Sequence, residues 1–513
     1  MQPLKKRFTY LFTSTRGLAL VALAMIALVT AVWGTLSGPM VEWGVRDFTV
    51  NALGMDLVQA EREGRIIMLY HTIAMAVIAV EVYFITDLIP LKRHEQANIN
   101  ATITVGYLTA LIFGLWFGYF GHNFVFHGVF LLGQSLVFFA GILLSAALWP
   151  WKEEYRLPSD SPLAHTKNGL DLERTAFFVM AVATLVSSTF GAVTGSYWGN
   201  GHETFLAEDL IRNPNKTLLQ KAIIGHLHIM LTLIAVAMTL ILGRWMKFKG
   251  ILHKIAMPLM IAGTIITTAG ALSVVWLDWA HTTIYVGSTM ILLAALMYVI
   301  FSWDSLIRTG LNSEDGKQIS GWKKIKALLR DPLKFGTGWQ MVFMNFTVSG
   351  VGIFMAVKLD EIFRVWPHRE ERIILTGHWH ILSGLIATII LFYYADLAGL
   401  KGKARKWFGW VTLLGSDLAF GAVTVFSLKR LFVNPASQQP LVNWTMLLTD
   451  IGLAGVLAGL AVFLLWRLYD LVLQNGRWAQ ELLEEQKQAA VEQLAEQKRQ
   501  LSRLSAELEE MSE

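Results

Sequence analysis

The chain has 513 residues, 54% hydrophobic and only 16% charged, against roughly 25% charged in a soluble domain, and reads as a polytopic membrane protein. It contains no cysteine, which excludes thiolate-held iron–sulfur clusters, disulfides and covalently attached c-type haem within this chain. The formal net charge of +5 points to no nucleic acid, because the basic residues fall mostly in short loops between apolar runs, where they set topology.

The N-terminus, MQPLKKRF, is basic and precedes an apolar run. That run is of spanning length and shows no clear small-residue cleavage site, so it reads as a retained first helix rather than a signal peptide. About twelve runs are long and apolar enough to span a bilayer, at 16–37, 66–90, 99–120, 126–149, 173–195, 221–243, 251–276, 280–303, 338–358, 373–395, 406–429 and 445–469. The expected fold is all-α, with a membrane domain over 1–470. Loop charges alternate as the positive-inside rule requires. Lys5, Lys6 and Arg7, Lys92 and Arg93, Lys152 and Arg156, Arg244 to Lys249, Lys323 to Lys326, and Lys401 to Lys406 fall on one side. Both termini are then expected in the cytoplasm.

With that topology, His71, His127, His226, His228, His281, His378 and His380 all fall within about two turns of the outer ends of even-numbered spans. A layer of cofactors parallel to the membrane would produce one shared depth. Taken singly, His127, His253 and His281 read as hydrogen-bonded packing. The tenth run, IILTGHWHILSGLIATIILFYY, carries His378 and His380. Residues two apart on a helix point roughly 200° from each other, so one helix can offer an imidazole to each of two planar cofactors. An ionisable side chain inside a membrane helix is a functional candidate by default, and imidazole is a common axial ligand of haem iron. His228 lies the same angle round its helix from His226 and faces a different neighbour. Trp379 lies either between two haem planes or, more blandly, at an interface where Trp is enriched. Glu81, about 15 Å along the helix from His71, either begins a proton route or pairs with another polar group; Asp417 and Asp450 are further acids within or near spans. The outer connections 38–65 and 196–220 are long and polar enough to shape a docking surface. After the last span, 471–513 reads as a cytoplasmic amphipathic helix. Leu494, Leu501 and Leu508 recur every seven residues, as do Leu483, Ala490, Leu504 and Met511 with a gap at Gln497. That is either a short coiled coil joining other subunits or a solvated helical tail.

The second span, YHTIAMAVIAVEVYFITDLIPLK, and the His-x-His of the tenth resemble the second and tenth helices of subunit I in the haem-copper oxidase superfamily, which includes nitric oxide reductases. The sixth span, IIGHLHIMLTLIAVAMTLIL, and the stretch LDWAHTTIYVGSTMILL are similar to pieces of its cbb3-type branch. The resemblance covers roughly 16–470, and only these short pieces are specific. It implies two b-type haems, with His71 and His380 clamping a six-coordinate one and His378 the proximal ligand of a five-coordinate one. His226 takes the position of the first ligand of the family's non-haem copper or iron, which with Trp379 makes it a catalytic candidate. Two further ligands, an adjacent His-His, fall on Ala269-Gly270, so that metal site is expected to be absent or rebuilt; His228 and His281 are the substitutes at hand. The function implied is a respiratory oxidoreductase of a bacterial or archaeal cytoplasmic membrane. It would carry electrons from a c-type cytochrome or quinol to O₂ or NO. The alternatives are a di-haem conduit between quinone and a periplasmic partner, a haem-free transporter, and a structural or gas-sensing subunit.

Overall fold

In the computed structural model, residues 2–37, 41, 43–57, 62–121, 123–197, 217–277, 279–311, 320–487, 490–491 and 494 are described. Much of the 196–220 connection, Asp278, and Leu501, Leu504, Leu508 and Met511 of the heptad seam lie outside them. Among the described residues there is no strand, and the protein is an all-α, multi-pass membrane protein. Among the described residues twelve helices are long and apolar enough to span a membrane: Thr15–Leu36, Met68–Leu88, Arg93–Phe120, Phe124–Leu148, Leu172–Gly195, Lys221–Trp245, Ile251–Ser273, Ala280–Gly310, Pro332–Val357, Gly377–Leu397, Gly402–Leu431 and Gln439–Val472. They are numbered here as spans one to twelve. Each falls on a run expected from hydropathy. Span three starts earlier than its apolar run, because Arg93, His94 and Glu95 form a polar first turn whose Glu95 carboxylate accepts from the Lys92 N–H at 3.1 Å. Span four begins where the Asn123 side chain accepts from the N–H groups of Val125 and Phe126, which satisfies two of the donors a helix start leaves open.

Spans two, six and ten form the centre. Phe84 of span two meets Tyr393 of span ten edge-on at 4.6 Å, and Trp245 of span six meets the same ring at 5.1 Å. The Arg244 guanidinium of span six donates to the Leu88 carbonyl of span two. Spans two and ten bury 61% of their apolar windows, whereas span twelve buries 17% and lies at the rim.

Around this centre stand three hairpins, of spans three and four, seven and eight, and eleven and twelve, each closed on glycine. A methyl group on Gly133 would meet the Ala110 backbone at 2.5 Å, one on Gly263 the Gly287 carbonyl at 2.8 Å, and one on Gly452 the Ala419 N–H at 2.6 Å. Lipid gives apolar helices no hydrophobic reason to associate, so close backbone approach through small residues supplies the contact.

The N-terminal helix Gln2–Thr13 lies against the start of the C-terminal helix, residues 477–487. Tyr10, Trp478 and Leu482 are buried together. Of the heptad seam, Leu483, Ala490 and Leu494 are described, and all three are exposed. The face that docks on the membrane domain is therefore a different one.

Candidate functional site

The central spans bring their histidines together at one end of the bundle. The His71 and His226 rings lie nearly parallel, at 11°, with centres 6.5 Å apart. His228, two residues on, meets Trp379 of span ten edge-on at 5.8 Å and lies within electrostatic reach of His281 at the start of span eight. Trp379 thus bridges spans six and ten. The Tyr70 hydroxyl is 3.3 Å from His380 Nε2, and Trp33 of span one packs on the Tyr70 ring. Imidazoles of spans two, six, eight and ten share one level, as their sequence positions lead one to expect.

Two of these rings are set for ligation by their own backbone surroundings. His226 Nδ1 is 2.9 Å from the Ser187 carbonyl, and His228 Nδ1 is 2.8 Å from the Ile224 carbonyl one turn back. A carbonyl only accepts, so the proton sits on Nδ1 and the lone pair is left on Nε2, as in imidazoles that bind metals. The His226 ring also lies flush on Gly191 of span five. A methyl group there would come within 2.5–2.7 Å of three ring atoms. His228 and His380 are exposed although their neighbours Ile229 and Ile381 are buried. These residues fit haem ligation in donor chemistry.

His378 faces span nine. Its ring rests on Gly352, where a methyl group would stand 2.6 Å from Cε1. Beside it is a cavity of about 20 Å³, lined by Thr347, Val351, Ile374, Ile381, Thr424 and Ser427 among others, which is room for about one water. Span nine is wound as π-helix over Phe343–Val348 opposite this ring. Such π-helical turns often mark functional sites.

The family's non-haem metal position does not fit such a centre. Ala269 offers no donor atom, and Gly270 packs against Thr283 and Ile284 of span eight, where a side chain would overlap them. No step is derived through that metal.

The remaining candidates lie apart. His127 packs among aromatic rings, 5.2 Å from Phe117 and 6.5 Å from Phe130. His253, at the opposite end of its span, hydrogen-bonds His165 at 2.8 Å, the packing role expected of it. Asp417 accepts from Trp339 Nε1 and Gln340 Nε2. Asp450 is exposed on span twelve. Glu81 is 4% exposed, and among the described residues its Oε1 has no hydrogen-bond partner.

The approach of Ser187 and Gly191 to His226 carried no sequence signal beyond a run of small residues in span five. A signal that was present is the recurrence of Gly-His-x-His-Ile at Gly225–Ile229 and Gly377–Ile381, the two central spans that meet through Trp379. No protein-family model, curated protein or solved structure matches this chain.

Proposed function

We propose that this chain is the haem-b-carrying membrane subunit of a respiratory oxidoreductase, resembling subunit I of haem-copper oxidases and nitric oxide reductases. The observation that carries the reading is the shared layer of imidazoles from spans two, six and ten, two of them with Nδ1 tied to a carbonyl. Haem supplies one-electron chemistry and, where one axial position is left open, a face for a small gas such as O₂ or NO.

The protein's part is to hold and orient. His71, with one further imidazole, anchors one haem, and His378 anchors the other. The Ser187 carbonyl fixes the tautomer of His226 and raises the basicity of its Nε2. Glycine contacts hold the His226 and His378 rings in place, so the ligand frame changes little when an electron arrives. Electrons come from the histidine end, from a c-type cytochrome, a cytochrome-bearing subunit or quinol. The termini lie on the other, cytoplasmic side of a bacterial or archaeal membrane.

A second reading keeps the haems and drops gas reduction: a conduit between quinone and a periplasmic partner. The closed packing at Gly270 favours it. Optical spectra of the purified, reduced protein, before and after CO, separate the two. Two haems per chain with one shifted by CO support the gas-reducing reading. Two haems indifferent to CO leave the conduit. Protein purified without haem sinks both.

A further inference from the structure

We propose that His71 of span two and His226 of span six are the two axial ligands of one six-coordinate haem seated between spans two, five and six. This rests on the haem-binding reading above. It departs from the resemblance, which pairs His71 with span ten.

The rings are nearly parallel, with centres 6.5 Å apart. Offset-stacked rings have centres about 4.5–7 Å apart, so this spacing is shared by simple offset packing and by ligation of a common metal. Imidazoles bonded at about 2.0 Å to opposite faces of one metal have ring centres roughly 6 Å apart. The observed separation matches that spacing. Two imidazoles do not complete a site for a bare ion, which takes about four ligands. Among the described residues no group of three or more His, Cys, Asp or Glu side chains is placed to hold one. A porphyrin brings its own in-plane nitrogens, so two imidazoles are all it asks of the protein.

Span five holds His226 in this attitude. The Ser187 carbonyl takes the Nδ1 proton at 2.9 Å, with the Ser187 hydroxyl 3.4 Å from the same nitrogen. Gly191 lets the helix lie against the ring. Ser187, Ser188 and Gly191 give span five a small-residue face on this side. His380 stands elsewhere. Its Nε2 meets the hydroxyl of Tyr70, and Tyr70 lies about 100° round the helix from His71.

The test compares His226→Met, His71→Met and His380→Met in full-length purified protein by low-temperature EPR and near-infrared magnetic circular dichroism. These read the axial ligands directly and need no turnover. The expected result is a bis-imidazole low-spin signal in the unaltered protein, lost in H226M and H71M and kept in H380M. A signal kept in H226M overturns the proposal. So does a loss that H380M reproduces, since His226 would then act only through the fold. If H226M does not fold, Gly191→Ala is the second variant. Its methyl group presses on the His226 ring and is expected to shift the EPR g-values of the low-spin signal, and unchanged g-values overturn the proposal. Haem-free unaltered protein defeats the haem reading itself, whereas a low-spin haem insensitive to His226 defeats this assignment alone.

Discussion

The two ends of the bundle are built differently. At the end that holds the N-terminus, arginines tie separate helices together. Arg244 of span six pairs with Glu173 of span five at 2.6 Å. Arg405 of span eleven pairs with Asp331 at 2.8 Å and also with Asp396 of span ten. Arg174 donates to the Pro90 and Ala147 carbonyls and stacks over Tyr155 at 3.4 Å. At the histidine end, helices meet through glycine against imidazole, a π-helical turn and edge-on rings. Two of the ion pairs there, Lys358–Glu361 and Arg364–Asp360, lie within a single short stretch. One end is a frame locked by planar, multidentate guanidinium groups. The other brings imidazoles of spans two, six and ten close to one another. The histidine end is not without such a tie, since Arg430 at the end of span eleven pairs with Glu370 before span ten at 3.0 Å.

The largest effect is expected at the frame. Arg467 is 1% exposed and donates to Tyr10 and Glu481 at 2.6 and 2.8 Å. Arg467→Ala leaves the Glu481 carboxylate buried without its cation, and breaking such a pair costs about 3–5 kcal/mol. Thermal unfolding in detergent measures it, and an unchanged midpoint would remove the frame from the comparison. At the other end, Gly352→Ala forces a methyl group into the His378 ring. Overpacking of this kind costs about 1–3 kcal/mol, and here the readout is local. CO binding to the reduced protein should weaken more than global stability falls, and the reverse order would make Gly352 a part of the frame.

The docked C-terminal helix gives a pH-dependent prediction. Burial raises the Glu485 pKa from the ordinary carboxylate range to about 7, against the lowering influence of the Ser14 hydroxyl and Arg16. With the folded value above the unfolded one, the docked state is favoured in full below about pH 4.3. That advantage is lost as pH rises through about 7. Proteolysis of the helix should therefore be faster at pH 8 than at pH 5, and Glu485→Gln should flatten the difference. If Glu485→Gln keeps the full pH dependence, another group controls the docking. The smallest effect is expected from Lys92 and Glu154, an exposed pair at 3.2 Å. Lys92→Ala should cost less than about 1 kcal/mol, and a larger drop in the unfolding midpoint would mean that surface pairs belong to the frame too.

Hydropathy and loop charge made the twelve spans legible, because a bilayer demands long apolar helices whatever their neighbours. That histidines of spans two, six and ten would come near one another was legible too, since rise per residue carries a sequence position into a position along the helix. The partners of each ring were not. No sequence feature indicated that the His71 ring would lie 6.5 Å from that of His226. Trp379 was weighed as a spacer between haem planes, and it packs on His228. The heptad seam was visible, but the face of the C-terminal helix that docks carries Trp478 and Leu482 instead. Helical periodicity sets where a side chain points relative to its own axis. It does not set how that helix is rotated against its neighbours.

By itself, then, the sequence determined an all-α membrane bundle, its span limits and a level rich in imidazole, all properties of one helix at a time. Which rings lie beside each other was decided only in the tertiary structure. That choice depends on close contacts such as Gly191 against His226 and Gly352 against His378. Such contacts form between helices far apart in the chain and leave no periodicity in either one.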